Sequence, residues 1–202
     1  MRIRYHSTQA SCGADFQIAN PSFMASSIWA AALTLAVILG SLALSCVAPL
    51  SALAVALAGT LGLRASLGVM TLVWLVNQAI GFTLFHFPRT ANSFEGGLAI
   101  GLAALLVVVV AGTVMRRASR WSVWSRLCLA LVATIAVYEA ALFGAAFILG
   151  GRDMFTLAIV SQVALINGAW LLAIIVLNEI VAALCRPWLG RMPMIVRPAG
   201  FI

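Results

Sequence analysis

Trp74, Asn77, Gln78, Gly81 and Phe85 recur at i, i+3, i+4, i+7 and i+11, the spacing of one helical face. Two adjacent amides in an otherwise apolar run need hydrogen-bond partners, because an unpaired amide held away from water costs free energy. Neighbouring helices can supply them, at about 0.6 kcal/mol per bond in a bilayer. A polar ligand in a cavity floored by Gly81 and walled by the aromatic rings can supply them too. The run ends in Phe85-His86-Phe87-Pro88-Arg89-Thr90-Ala91-Asn92-Ser93-Phe94-Glu95, which joins aromatic rings, an imidazole, a guanidinium and an acid. Pro88 stops a helix, and Asn92 or Ser93 is placed to cap the next one. That loop is either an interfacial cap with Arg89 paired to Glu95, or a lid or floor for a ligand. His86 suits a metal or a metal-containing ligand, although a lone histidine is more often an ordinary interfacial side chain.

Other polar groups interrupt apolar sequence further on. Glu139 is the only acid deep inside an apolar span, where it must be protonated, paired or solvated. A neutral Glu139 bonded to Asn77, Gln78 or Asn167 is one solution. Gln162, Asn167, Asn178 and Glu179 lie along the last span, with Asn167 and Asn178 eleven residues apart and hence on one face. The Asn178-Glu179 pair sits near the end of the span, at interfacial depth. Gly150-Gly151-Arg152-Asp153 forms a short turn that would face the 85–95 loop. Gly97-x-x-x-Gly101 and Ala32-x-x-x-Ala36 are small-residue faces that permit close helix contact, but alanine-rich sequence generates such spacing by chance. No phosphate-binding loop, His-x-x-x-His pair or acidic cluster occurs, and no activated serine or cysteine can be assembled. A non-enzyme without a cofactor or metal of its own is the expectation.

The elements that hold these groups follow from composition. The 202 residues are 64% hydrophobic and 8% charged, with a mean hydropathy of +1.12, against about 25% charged in soluble domains. Apolar runs of roughly 20 residues recur, each able to cross about 30 Å of hydrocarbon. Leu98 to Val114 does not alternate, which excludes a barrel and leaves helices. The fold class is therefore all-α: a polytopic six-helix membrane bundle with spans over 27–47, 49–63, 65–86, 95–115, 127–149 and 154–184. Pro49 divides the first two, since one helix from Ile28 to Leu63 would run about 54 Å. Residues 1–24 read as a flexible polar tail without a signal peptide, 25–186 as the transmembrane domain, and 187–202 as a short basic tail. Cys12, Cys46, Cys128 and Cys185 show no paired spacing, so no disulfide is expected.

All twelve basic residues are arginines, and their distribution sets the orientation. Arg2, Arg4, Arg64, Arg116, Arg117, Arg120, Arg126, Arg186, Arg191 and Arg197 fall on one side, while Arg89 and Arg152 fall on the other. The positive-inside rule makes the first side, with both termini, cytoplasmic. Trp121 and Trp124 among the arginines suit a membrane interface with anionic headgroups. The +7 charge is topogenic and not a nucleic-acid signal.

Six short-looped helices with polar chemistry gathered on the outer side resemble the substrate-binding S-components of energy-coupling factor (ECF) vitamin transporters. The stretch Trp74-Leu-Val-Asn77-Gln78-Ala-Ile-Gly81-Phe82, followed by Phe87-Pro88-Arg89-Thr90, looks like the small cobalamin-type S-components of proteobacteria. The overall plan covers 25–185 and the local match about 17 residues. The resemblance implies a multi-pass protein of the bacterial inner membrane that takes up a vitamin, cobalamin before others, from the outer side. It implies ligand contacts from Trp74, Asn77, Gln78, Phe85, His86, Arg89, Asn92, Glu139, Gln162 and Asn167. It also implies docking of Ala32 and Ala36 against a coupling subunit with its ATPases. The competing readings are an accessory or assembly subunit, in which Asn77, Gln78 and Glu139 only join helices, and an intramembrane enzyme using Glu139 and His86.

The topology has a direct check. With single cysteines at Ser93 and Ser119 in a cysteine-free background, an impermeant reagent should mark only Ser93 in intact cells. The reverse pattern would invert the orientation.

Overall fold

The computed structural model describes residues 23–43, 49–151, 155–189 and 193–195. Expectations about the 1–22 tail, Cys12, Cys46, and the side chains of Arg152, Asp153 and Arg186 lie outside the described residues. The described chain is all-helical: α1 (Phe23–Ala43), α2 (Leu50–Thr60), α3 (Leu63–Thr83), α4 (Ala91–Arg117), α5 (Val123–Leu149) and α6 (Leu157–Leu189). Helices α3 to α6 are each long and apolar enough to cross a bilayer, which makes this a multi-pass membrane protein.

The short helix organises the rest. Neighbouring contacts run α1 to α3, α3 to α4, α4 to α5, α5 to α6 and α6 back to α1, a closed ring of five helices, and α2 touches α3, α4, α5 and α6 from within it. Every residue from Leu50 to Leu57 is buried. Its sequence, LSALAVALAGT, is apolar all round, as a helix with no outward face requires. Small alanines alternating with leucine and valine let four neighbours approach it at once.

Eleven residues rise only about 16 Å, so α2 fills roughly half the thickness. Which half is fixed by its contacts. At its C-terminus, Thr60 Oγ1 accepts from Trp29 Nε1 at 2.9 Å, tying the start of α1 to the end of α2. Gly59, Gly62, Arg116, Arg126 and Ile195 line one cavity there, so that end of the bundle is arginine-rich. At its N-terminus, Ala52 N–H donates to Asn167 Oδ1 at 3.0 Å. Asn167 lies ten residues into α6, about 15 Å from the opposite end. Helix α1 rises alongside: a Cβ on Gly40 would fall within the Trp170 indole, so only glycine lets α1 reach α6 there.

Several boundaries move from the expected ones for local reasons. Helix α4 begins at Ala91, not 95, because Thr90 is its cap and its hydroxyl accepts from Ser93 N–H at 3.3 Å. Asn92 and Ser93 are thus inside the first turn. Ser122 likewise starts α5 at Val123, not 127, accepting from Ser125 N–H at 3.2 Å. Helix α3 ends at Thr83, not 86: Leu84 and Phe85 N–H both reach back to Ile80 O, and His86 turns left-handed at φ 53°. Helix α6 continues to Leu189, past the expected 184, and the segment behind it folds back. Asn178 donates to Pro193 O at 3.0 Å and accepts from Ile195 N–H at 2.9 Å. Asn178 is 1% exposed, a buried clamp where an interfacial residue was expected.

Asn167→Ala should cost about 1–2 kcal/mol, as loss of a helix N-cap does, because it leaves Ala52 N–H unpaired in the core. Thermal unfolding in detergent of parent, Asn167→Ala and exposed Ala169→Leu checks this; only the first variant should fall.

Candidate functional site

The expected face of α3 divides into two. Met70 and Val73 are buried and point into the ring, and Asn77 continues that line: its Oδ1 is sealed from solvent and has no hydrogen-bond partner. Trp74, Gln78 and Gly81 turn instead toward α4 and the loop. Trp74 Nε1 donates to Gly97 O at 2.9 Å. A Cβ on Gly101 would overlap the Trp74 ring, and one on Gly97 would stand 2.7 Å from Gln78 Oε1. The Gly97-x-x-x-Gly101 face is therefore the seat of two α3 side chains. It is not a chance spacing.

Beside that seam lies a groove of about 340 Å³ lined by Trp74, Leu75, Gln78, Ala79, Phe82, Phe94, Gly97 and Leu98. Leu75, Phe94 and Leu98 are exposed, so the groove opens on the membrane-facing surface. Phe82 stacks on Phe94 with centroids 4.7 Å apart, and meets Phe87 edge-on at 6.3 Å. Phe87 in turn covers Gly81, where a Cβ would lie 2.7 Å from its ring. Phe82 and Phe94 were not among the expected contacts. Their signal was present in the spacing Gln78 to Phe82 and Phe94 to Leu98, one helical turn each, once α4 starts before Phe94.

Phe85, His86 and Arg89 sit past the end of α3, exposed at the end opposite the arginine cluster. Phe85 is consequently not on the Trp74 face. His86 Nδ1 lies 3.0 Å from Leu84 O. A carbonyl can only accept, so Nδ1 is the donor in this contact, and Nε2 is the acceptor whenever the ring is neutral. A left-handed residue that is not glycine costs about 1–2 kcal/mol, which marks this histidine as held in place. Asn92 is exposed on the first turn of α4. Among the described residues no ion pair joins Arg89 to Glu95, and no group of three His, Cys, Asp or Glu side chains converges.

Three expected contacts fall elsewhere. Glu139 shares a stripe of α5 with Val132, Ala136 and Phe143, all exposed, and is itself only half-buried. It therefore faces outward, not into the bundle, and makes no hydrogen bond to Asn77, Gln78 or Asn167. Helix α4 stands between it and α3 in the ring, so Glu139 and His86 are not brought together. Gln162 is exposed on the stripe of α6 that carries Leu165 and Leu172. Asn167 is 4% exposed and occupied by Ala52 N–H and Val163 O. On α1, Ala32 and Ala36 are half-buried on the flank between buried Leu33 and Val37 and exposed Leu35 and Leu39. No known protein family, characterised protein or solved structure matches the chain.

The seam predicts opposite responses at two nearby glycines. Gly101→Ala should displace Trp74 and cost about 1–3 kcal/mol. Gly96→Ala, where a Cβ meets nothing within 4 Å, should be neutral or gain about 0.5–1 kcal/mol. Paired melting curves decide; equal shifts would refute close packing at Gly101.

Proposed function

We propose that the protein captures a small polar or metal-containing ligand at the end opposite the arginine cluster, and that this end faces outside. A vitamin of the cobalamin type is the ligand class we favour, as the resemblance to ECF S-components implies. The observation that carries the reading is His86. Its Nδ1–H is engaged by the Leu84 carbonyl, which presents Nε2 as a lone pair in a loop rich in aromatic rings. Metal-ligating histidines are commonly oriented through such a carbonyl. Arg89 and Phe85 stand beside it in sequence, Phe87 anchors the loop to Gly81, and Asn77 offers an unpartnered amide oxygen on α3. Positive-inside asymmetry supports the outward orientation of this end. Under the same reading the exposed flank of α1 by Ala32 and Ala36 is where a coupling subunit with its ATPases docks, in a bacterial inner membrane.

A specific observation favours a second reading, an accessory subunit of a larger membrane assembly. Glu139 lies about 20 Å along α5 from Arg126, within the apolar span and on its outward stripe, with no hydrogen bond to the described residues. A carboxyl there is expensive without a donor, and a helix of another protein can provide one.

His86→Gly separates the two. Glycine relieves the left-handed turn, so the melting temperature should hold or rise. Cobalamin binding by calorimetry, or growth rescue by the vitamin, should fall markedly, and Arg89→Ala and Asn77→Ala should weaken it too. If parent protein binds no cobalamin, and Glu139→Leu releases a co-purifying membrane protein, the accessory reading stands instead. Uptake by all three variants equal to the parent would remove the site.

A further inference from the structure

The arginine-rich end holds a second cavity, of about 360 Å³, between the C-terminus of α2, the N-terminus of α3, the α4–α5 hairpin and the returning tail. Its walls combine apolar surface from Leu61, Leu63, Met115 and Ile195 with two guanidiniums, Arg116 and Arg126. Among the described residues no carboxylate lines it. The Arg126 Nε–H is sealed from solvent and has no hydrogen-bond partner. Arg116 has only a long contact, Nη2 to Thr113 Oγ1 at 3.4 Å. Arg116 is exposed at the cavity's edge, whereas a buried donor left unpaired, as Arg126 Nε–H is, costs about 1–3 kcal/mol. An anion in the cavity removes that penalty and pairs with both guanidiniums.

We propose that this cavity binds a phosphate group, held between Arg116 and Arg126, with the apolar walls taking the glycerol and upper acyl chain of an anionic lipid. Phosphate matches the planar, bidentate donor geometry of guanidinium. At about 30 Å³ per water, the space equals roughly twelve waters, enough for a glycerophosphate headgroup. Trp121 and Trp124 are exposed on the same hairpin, and exposed tryptophans favour the headgroup level, where such a phosphate is found. The tail wall is not incidental: the Asn178 clamp holds Ile195 against the site. The proposal stands apart from the ligand reading of the opposite end.

The test is native mass spectrometry of delipidated full-length protein, titrated in separate arms with phosphatidylglycerol, phosphatidylcholine and inorganic phosphate. Phosphatidylglycerol should bind in preference to phosphatidylcholine, more weakly in high salt. Arg126→Gln should weaken it roughly tenfold or more, while Arg117→Gln, exposed and outside the cavity, should not. Because Arg126→Gln can also disturb packing, Gly62→Asp provides the second variant. Gly62 lines the cavity, caps α3 at φ −69° and ψ 155°, and has nothing within 4 Å of a Cβ. Aspartate is a favoured cap there, so the melting temperature should hold while its charge expels the anion. Arginine-dependent binding of inorganic phosphate with neither lipid bound would keep the anion site and overturn the lipid as its occupant. Equal binding of anionic and zwitterionic lipid, or full binding by stable Gly62→Asp, would overturn the proposal.

Discussion

A helix that starts in the middle of a membrane bundle has to dispose of backbone groups that neither water nor lipid can satisfy, and the architecture here follows from how α2 does so. The first N–H groups and last carbonyls of any helix lack partners within it, and an unsatisfied one in hydrocarbon costs several kcal/mol. Asn167 Oδ1 takes Ala52 N–H at one end. At the other, Leu57 O receives Leu61 N–H at 2.8 Å and shares the Ser66 hydroxyl with Gly62 O. Each partner comes from a helix in the surrounding ring or the turn into it. The five outer helices are therefore needed not only to bury α2 but to complete its ends. Their mutual contacts can be modest where α2 supplies the packing, as between α5 and α6.

Much of this plan was legible in the chain. Hydropathy located α3 to α6, and Pro49 and Pro88 marked the breaks. The capping residues were harder: Thr90 and Ser122 are unremarkable in polar loops, yet each adds a turn to the helix behind it. The last span was expected to end at 184, but α6 continues to Leu189 with Pro187 in its final turn, where a proline removes few bonds. Facing was the least legible property. In water an apolar stripe marks the inside, whereas in lipid both faces are apolar and the periodic signal fades. Asn77 and Gln78, adjacent in sequence, separate into the core and the α3–α4 seam. Glu139 is the sharpest case, because the cost of a carboxyl in lipid argues for an inward position that α5 does not give it.

The asparagines of α6 show how one spacing serves two ends. Asn167 and Asn178 lie on the same inward face, and each uses its amide as a bridge to backbone that has no regular partner. A leucine at either position would fill the space and satisfy nothing. Polar residues in this bundle thus fall into two kinds: those consumed by the fold, such as Asn167, Asn178, Thr60 and Ser66, and those left with unused capacity.

The second kind is small, and its distribution constrains function more than any resemblance does. Asn77 Oδ1 and Arg126 Nε are buried and unpaired, Glu139 is half-buried on an outward stripe, and His86 offers Nε2 at a loop. They occupy different elements and depths, so one ligand cannot satisfy them all. Groups near the His86 loop suit a ligand arriving from that end. Arg126 suits an anion at the opposite interface, where the bilayer itself supplies one. Glu139, between them and turned outward, has no hydrogen-bond partner among the described residues. The three demands fall on different elements and depths, so meeting one of them requires no compromise from the residues that carry the others.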